Sequence, residues 1–195
     1  MESFSDITGV ILAGGQSNRF GSNKALALLH GKSLIQYVTE TMTAIFNDCL
    51  LVTNAPEQYD FLNIPMIRDQ YQDSGPLAGI HAALSHTGKA WIFVVGCDMP
   101  AITPDVIAFL CSFVHEDCEA VIPWLETGAE PLCGLYHKTA LAQIEQYLKD
   151  GKAQVRELLE NLTVRKIKEQ ELLQVTGDLQ VFYNVNRKQD LGRLA

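Results

Sequence analysis

The chain has 195 residues, 47% of them hydrophobic and 19% charged, with a formal net charge of -8 at pH 7. Length favours one domain, and the apolar fraction excludes a disordered acidic tail. No apolar run approaches the roughly 18 residues that span a bilayer, the first residues (Met1 to Asp6) read as no signal peptide, and the acidic balance argues against general nucleic-acid binding, which needs a broad basic surface.

Residues 7–13, Ile-Thr-Gly-Val-Ile-Leu-Ala, read as a buried strand that Thr8 and Gly9 weaken only in its first half. The only Gly-rich loop follows, Gly14-Gly15-Gln-Ser-Asn-Arg-Phe-Gly21. Ser33 to Phe46 has a helical stripe of Leu34, Ile35, Val38, Met42 and Ile45, opened by a Ser33–Gln36 capping box. Cys49–Thr53 is a second strand, residues 56–61 a short helix, and Pro65–Arg68 a third strand. Ser74-Gly-Pro-Leu-Ala-Gly79 opens a helix that runs to about His86, with Pro76 suited to its first turn. Ala90–Val95 is the most apolar run and lacks an alternating face, so it is expected to be a central strand buried on both faces.

Thr103-Pro104 caps a further helix with Ile107, Leu110, Cys111 and Val114 inward. Strands are expected near Ala120–Pro123 and Leu132–Tyr136, and helices near 138–149 and 153–161, parted by Gly151 as a C-cap. Strands at 163–167 and 181–185 precede a short terminal helix. Alternating strands and helices predict an α/β fold with a mostly parallel sheet. Ligands of such sheets bind beyond the C-terminal strand ends, near a switch in strand order. The Gly-rich loop, Asn54, Asp69 and Asp98 each follow a predicted strand, so all four should line one edge.

Charge points to the same edge. Up to Asp98 the chain has five basic residues, Arg19, Lys24, Lys32, Arg68 and Lys89, and the first three lie in or just after the Gly-rich loop. Cations beside glycines make a local anion site, because backbone N–H groups can approach phosphate oxygens there. The loop lacks the Gly-Lys-Ser/Thr ending of a Walker A motif and is not G-x-G-x-x-G. The five cysteines form no C-x-x-C pair, which fits reduced thiols in a cytoplasmic protein. His30, His81, His86, His115 and His137 have no metal-ligand spacing.

The longer string, Leu12-Ala-Gly-Gly-Gln-Ser-Asn-Arg-Phe-Gly-Ser-Asn-Lys-Ala-Leu26, resembles the L-A-G-G-x-S-x-R-M-G-x-x-K-A-L signature of nucleotidyltransferases. Among these it is most similar to the molybdenum cofactor guanylyltransferase family. His30-Gly-Lys-Ser-Leu34, Gly75-Pro-Leu-Ala-Gly79, Gly96-Cys-Asp-Met-Pro100, Glu130-Pro-Leu-Cys-Gly-Leu-Tyr136 and Asn184-Val-Asn186 match in family order. The resemblance spans nearly the whole chain. Phe20 stands where Met is usual, Ser33 where Pro is common, and no Pro follows the Asn-x-Asn pair.

The resemblance implies a Rossmann-like three-layer αβα nucleotidyltransferase fold in a single domain, 1–195. Its nucleotide-binding part would be about 1–103 and its acceptor-binding part about 104–195. It further implies transfer of GMP from GTP to the terminal phosphate of molybdopterin, releasing diphosphate. GTP and molybdopterin cofactor would be the substrates, Mg²⁺ the cofactor, and molybdenum-insertion proteins and molybdoenzyme chaperones the protein partners. Carried over residue by residue, Asp98 would hold Mg²⁺, while Arg19 and Lys24 neutralise the triphosphate. Leu12, Ala13, Gly14 and Gly15 would meet nucleotide through backbone groups. Asn54 and Asp69 would bind guanosine, and Pro76, Leu77 and Gly79 would form the base pocket. Arg156, with Lys152, and Asn184 and Asn186 would meet the acceptor. Cys97 reads as structural.

Each of these residues also has an ordinary role open to it: a surface cation for Arg19, Lys24 or Arg156, a turn for Asn54 and Asp69, and helix packing for Gly79. Three other functions share part of the pattern. They are a cytidylyltransferase acting on the same pterin, a cytidylyl- or uridylyltransferase acting on a sugar or polyol phosphate, and a non-catalytic carrier of the molybdenum cofactor. A dinucleotide-dependent dehydrogenase lacks its glycine fingerprint here.

Overall fold

The computed structural model describes residues 4–14, 23–71, 74–115 and 117–194. In chain order the strands are β1 (Ile7–Leu12), β2 (Leu28–Leu29), β3 (Lys32–Ser33), β4 (Cys49–Val52), β5 (Met66–Ile67), β6 (Trp91–Gly96), β7 (Ala120–Leu125), β8 (Gly128–Ala129), β9 (Cys133–His137) and β10 (Val164–Lys168). The helices are α1 (Leu34–Ile45), α2 (Gly75–His86), α3 (Pro104–Cys111), α4 (Leu141–Lys149), α5 (Val155–Leu158) and α6 (Glu169–Thr176).

One sheet holds the molecule together, in the order β10-β7-β9-β6-β1-β4-β5, with β8 paired to β7. β6, β1, β4 and β5 run parallel, as do β7 and β10, and β9 is inserted antiparallel between β6 and β7. Every residue of β1 and β6 is buried, as expected for strands covered on both faces. Alternate residues feed two cores. Ile7, Ile11, Phe93 and Val95 pack with Ile35, Val38 and Met42 of α1, Val106 and Leu110 of α3, and Leu172 of α6. Val10, Leu12, Ile92 and Val94 pack with Ile80 and Leu84 of α2, Ile144 and Leu148 of α4, and Leu158 of α5. The result is three layers, helix, sheet and helix.

Gln36 Oε1 accepts from both the backbone N–H and the hydroxyl of Ser33 (2.9 and 2.8 Å), so the expected interaction at the start of α1 forms. Thr103 caps α3 and Gly151 takes positive φ just after α4. Three expectations need correction. The helix at 153–161 shrinks to the four residues of α5, and Val114 lies beyond the end of α3. The strand at 181–185 does not form. Gln180–Phe182 is a 3-10 turn followed by extended chain outside any sheet. Val181, Phe182 and Val185 are buried against side chains of other elements, so tertiary packing takes precedence over their β-propensity. The β2–β3 hairpin, β8 and α6 are elements the sequence pattern did not reveal. All five cysteines are unpaired and all but Cys97 are buried. Among the described residues no helix is long and apolar enough to cross a membrane.

Candidate active site

The register of the parallel strands aligns their ends. Leu12 pairs with Val52 and with Gly96, and Val52 pairs with Ile67. Gly14, Asn54, Asp69 and Asp98 each stand two residues past this row. They therefore share one edge of the sheet, as expected. That edge lies at the change in strand order, where β4 leaves β1 on one side and β6 on the other.

Lys24 arrives at the edge on a 3-10 turn, Lys24–Leu26, whose cap Asn23 accepts from the Ala25 N–H at 3.1 Å. The Asn23 amide also donates to Gln58 Oε1 (2.7 Å) and to the Tyr59 hydroxyl (2.8 Å). Ala25 is buried beneath the turn. The ammonium of Lys24 thus reaches Asp98 Oδ2 at 2.6 Å and Asn186 Oδ1 at 3.4 Å. The side chains of Lys24 and Asp98 are only 20% and 16% exposed. This shelter strengthens their field beyond that of a solvated surface pair. Asn23 has no role in the sequence reading, although an Asn directly before a Lys in a Gly-rich segment is a capping signal.

Asp98 is held in place by the backbone around it. Its carbonyl accepts from Val185 N (2.9 Å), and the 3-10-like turn after it closes through Met99 N to Gly96 O (3.3 Å). A Cβ at Gly96 would lie 2.5 Å from Asp98 Oδ1, so the carboxylate occupies the space that glycine leaves. Asp98 does not cap the helix that follows it, because Thr103 caps α3. Burial, and then the Asp98 charge, push the Cys97 thiol up to about 12. It stays protonated and unreactive, in keeping with a structural role.

Asn54 donates to Asp69 Oδ2 at 2.9 Å. Asp69 Oδ1 is buried and has no hydrogen-bond partner. A buried carboxylate oxygen without a partner is costly, and a ligand N–H or O–H would relieve it. Leu12, Ala13 and Leu77 are buried core residues. The Ala13 N–H is taken by Val52 O (3.0 Å), and the Leu12 carbonyl by Cys97 N (3.1 Å). Their part is to fix the strand end, and Gly14 is the first exposed residue beyond it. Pro76 is exposed in the first turn of α2. Gly79 is buried where a Cβ would come 2.9 Å from Leu12 Cδ2, so it seats α2 on β1. Arg19 and Gly15 lie outside the described residues.

The acceptor candidates divide. Asn186 joins Lys24 and Asp98. The Asn184 amide donates to Phe182 O (3.1 Å). Arg156 donates to Ala129 O at 2.8 Å. Lys152 lies over the Tyr147 ring. Glu130, in the matched Glu-Pro-Leu string, lies in the loop between β8 and β9. Burial raises its carboxyl pKa, and the Arg156 charge opposes that rise. Among the described residues no group of three or more His, Cys, Asp or Glu is arranged to hold a metal ion. A cation here would rely on Asp98 and on oxygens brought by a ligand.

Residues 9–168 match the model of the MobA-like NTP transferase domain. A molybdenum cofactor guanylyltransferase of Desulfosudis oleivorans is 36% identical, over 95% of this chain and 92% of that protein. A probable molybdenum cofactor guanylyltransferase of a Geobacillus species is 34% identical, over 92% and 93%. The crystal structure of molybdopterin-guanine dinucleotide biosynthesis protein A from Archaeoglobus fulgidus superposes with a TM-score of 0.82 at 29% identity, over 95% of each chain.

Proposed function

The chain belongs to the MobA-like NTP transferase family, and from that premise we propose that it transfers GMP from GTP to molybdopterin cofactor. An oxygen of the terminal pterin phosphate forms a bond to the α-phosphorus of GTP. The bond from that phosphorus to the β-bridging oxygen breaks, and diphosphate leaves with the electron pair. The nucleophile is already an anion at neutral pH, so the reaction needs charge neutralisation and alignment rather than a strong base. The observation that carries the proposal is the single sheet edge on which Gly14, Lys24, Asn54, Asp69 and Asp98 converge, with Lys24 on Asp98 at 2.6 Å.

Each residue has a task at that edge. Lys24 offsets the charge of the triphosphate. Asp69 Oδ1, the unpartnered buried acceptor, takes a hydrogen bond from a guanine N–H or a ribose hydroxyl, and Asn54 holds the other carboxylate oxygen. Asp98 would hold Mg²⁺, and the amide oxygen of Asn186 meets the same Lys24 ammonium at 3.4 Å. One carboxylate suits a small hard cation that keeps waters and takes phosphate oxygens. When bound, Mg²⁺ would neutralise charge on the α-phosphoryl group and on the leaving diphosphate. The five unpaired thiols support a cytoplasmic location.

The test is to incubate the purified protein with molybdopterin cofactor, Mg²⁺ and each nucleoside triphosphate in turn. Diphosphate release and the mass of the dinucleotide product are followed. GTP alone is expected to support turnover, which should stop on chelation of the metal and return with added Mg²⁺. Product from CTP and none from GTP would overturn the guanylyl assignment.

A further inference from the structure

The turn that presents Lys24 is three residues of 3-10 helix, Lys24–Leu26, followed by extended chain at Ala27. A 3-10 turn of this length does little to support itself, yet it aims an ammonium at Asp98. Asn23 is what steadies it. The side-chain oxygen of Asn23 accepts from Ala25 N (3.1 Å). Its amide N–H groups point outward, to Gln58 Oε1 (2.7 Å) and to the Tyr59 hydroxyl (2.8 Å). Of the side chains with so short a stem, only asparagine offers an acceptor and two donors at once. Capping alone would use only the bond to Ala25 N, so the two outward donors serve something else.

Their partners belong to the arm that leaves β4. Two 3-10 turns, Pro56–Gln58 and Asp60–Leu62, form this arm, and Tyr59 joins them. The Tyr59 N–H donates to Pro56 O (2.8 Å), and its carbonyl accepts from Leu62 N (2.9 Å). The residue is buried in the same core as Ala25, so its hydroxyl is a fixed anchor. At its root the arm is tied to the strand ends. Thr53 N donates to Ile67 O (2.9 Å), and Ala55 N to Thr53 Oγ1 (3.2 Å). Between them stands Asn54, whose amide holds Asp69. Asn23 therefore fastens the turn that bears Lys24 to the arm that begins at the Asn54–Asp69 pair.

We infer that Asn23 is a positioning residue for the nucleotide triphosphate, acting through Lys24, with Tyr59 as its anchor. The inference rests on the role of Lys24 proposed above. With the clamp closed, the Lys24 backbone keeps a set place relative to Asn54 and Asp69. The phosphates of a nucleoside seated on that pair then meet the ammonium in line with Asp98. With the clamp open, the turn is still capped, but a long lysine side chain with many rotamers stands on a base that can shift. Alignment of anions is what the reaction most depends on.

The experiment separates capping from clamping. Asn23→Ser keeps an oxygen that caps about as well as asparagine and loses both amide donors. Tyr59→Phe removes the anchor from the other side. Each substitution is made in the wild-type chain and in Lys24→Ala, where product formation is followed at high enzyme concentration. The kcat/KM for GTP, the KM for molybdopterin cofactor and the melting temperature are measured for all. In the wild-type chain both substitutions are expected to lower kcat/KM for GTP about tenfold and to leave the acceptor KM unchanged. In Lys24→Ala they should change kcat/KM for GTP by less than about twofold, because residues that act through one another are not additive. Any loss of melting temperature should be the same in both backgrounds. Wild-type kcat/KM in Asn23→Ser overturns the role and leaves a simple cap. A tenfold loss that persists without Lys24 also overturns it, since a merely structural part would cost the same in both backgrounds. Wild-type protein that makes no product from GTP and the pterin would reject the function itself, and the role with it.

Discussion

Asp98 shows how a single backbone choice can create a functional side-chain position. Gly96 ends β6 in a strand conformation that any residue could adopt, so its glycine is not required by φ. It is required by the carboxylate two residues on, since a Cβ would stand 2.5 Å from Asp98 Oδ1. In Gly96→Ala the flexible carboxylate must swing away, and the 2.6 Å contact with Lys24 goes with it. Turnover is therefore expected to fall at least about tenfold, an added barrier of ~1.4 kcal/mol. The melting temperature should stay within roughly 2 °C of wild type, because the atom displaced is the far end of one flexible side chain rather than packed core. Steady-state turnover and a thermal melt check this together. A variant that retains full activity would show that Asp98 does not need this position.

At the scale of elements, glycine does the opposite work at the other end of β1. A Cβ on Gly9 would lie 2.7 Å from Phe46 Cδ2 and 3.1 Å from Met42 Cε, at the end of α1, and 2.9 Å from Cys49 Sγ on β4, all three residues being buried. Gly9→Ala overpacks that interface and is expected to cost about 1–3 kcal/mol, lowering the melting temperature by roughly 2–10 °C. The active edge is at the far end of the strand, so turnover well below the melting temperature should be unchanged. A variant that melts with wild type would refute the tight α1–β1 approach. In the sequence Gly9 looks like a weakness in a strand; in the fold it is what lets the helix seat. Elements were legible where an apolar run is buried on both faces and punctuated by Gly, Pro or a cap, as in β1, α2 and β6. They were not legible where burial is slight. In α6 only Leu172 is buried, so no stripe marks it, and the Val181–Val185 run packs its apolar residues against the body without ever pairing as a strand.

The whole molecule adds a connection that no local pattern carries. Strand ends can be placed from sequence, which is why Asn54, Asp69 and Asp98 were assigned to one edge with Lys24. The C-terminal segment reaches that edge only by folding back over the body. Val185 is buried with Leu29 and Leu34, Leu191 and Leu194 pack alongside, and the Val185 N–H bonds Asp98 O. Asp190 Oδ2 then fixes the turn by accepting from Asn186 N (2.9 Å) and Arg187 N (2.7 Å). Asn186 meets Lys24 across 162 positions of sequence, a separation at which spacing arguments carry no information. The sheet and its two cores draw on residues before this strap, so a chain ending at Phe182 should fold with a melting temperature a few degrees lower. It should bind GTP within about threefold of wild type, because a side chain that merely flanks a site contributes under ~1 kcal/mol. It should form dinucleotide product at least about a hundredfold more slowly, having lost Asn184 and Asn186 together. Asn186→Ala in the full chain keeps the apolar docking and so separates lost chemistry from lost stability: its melting temperature should match wild type while its turnover falls. Turnover undiminished in both variants would mean that the strap closes the structure without serving the reaction, and that the acceptor phosphate is held by the β8–β9 and α5 side alone.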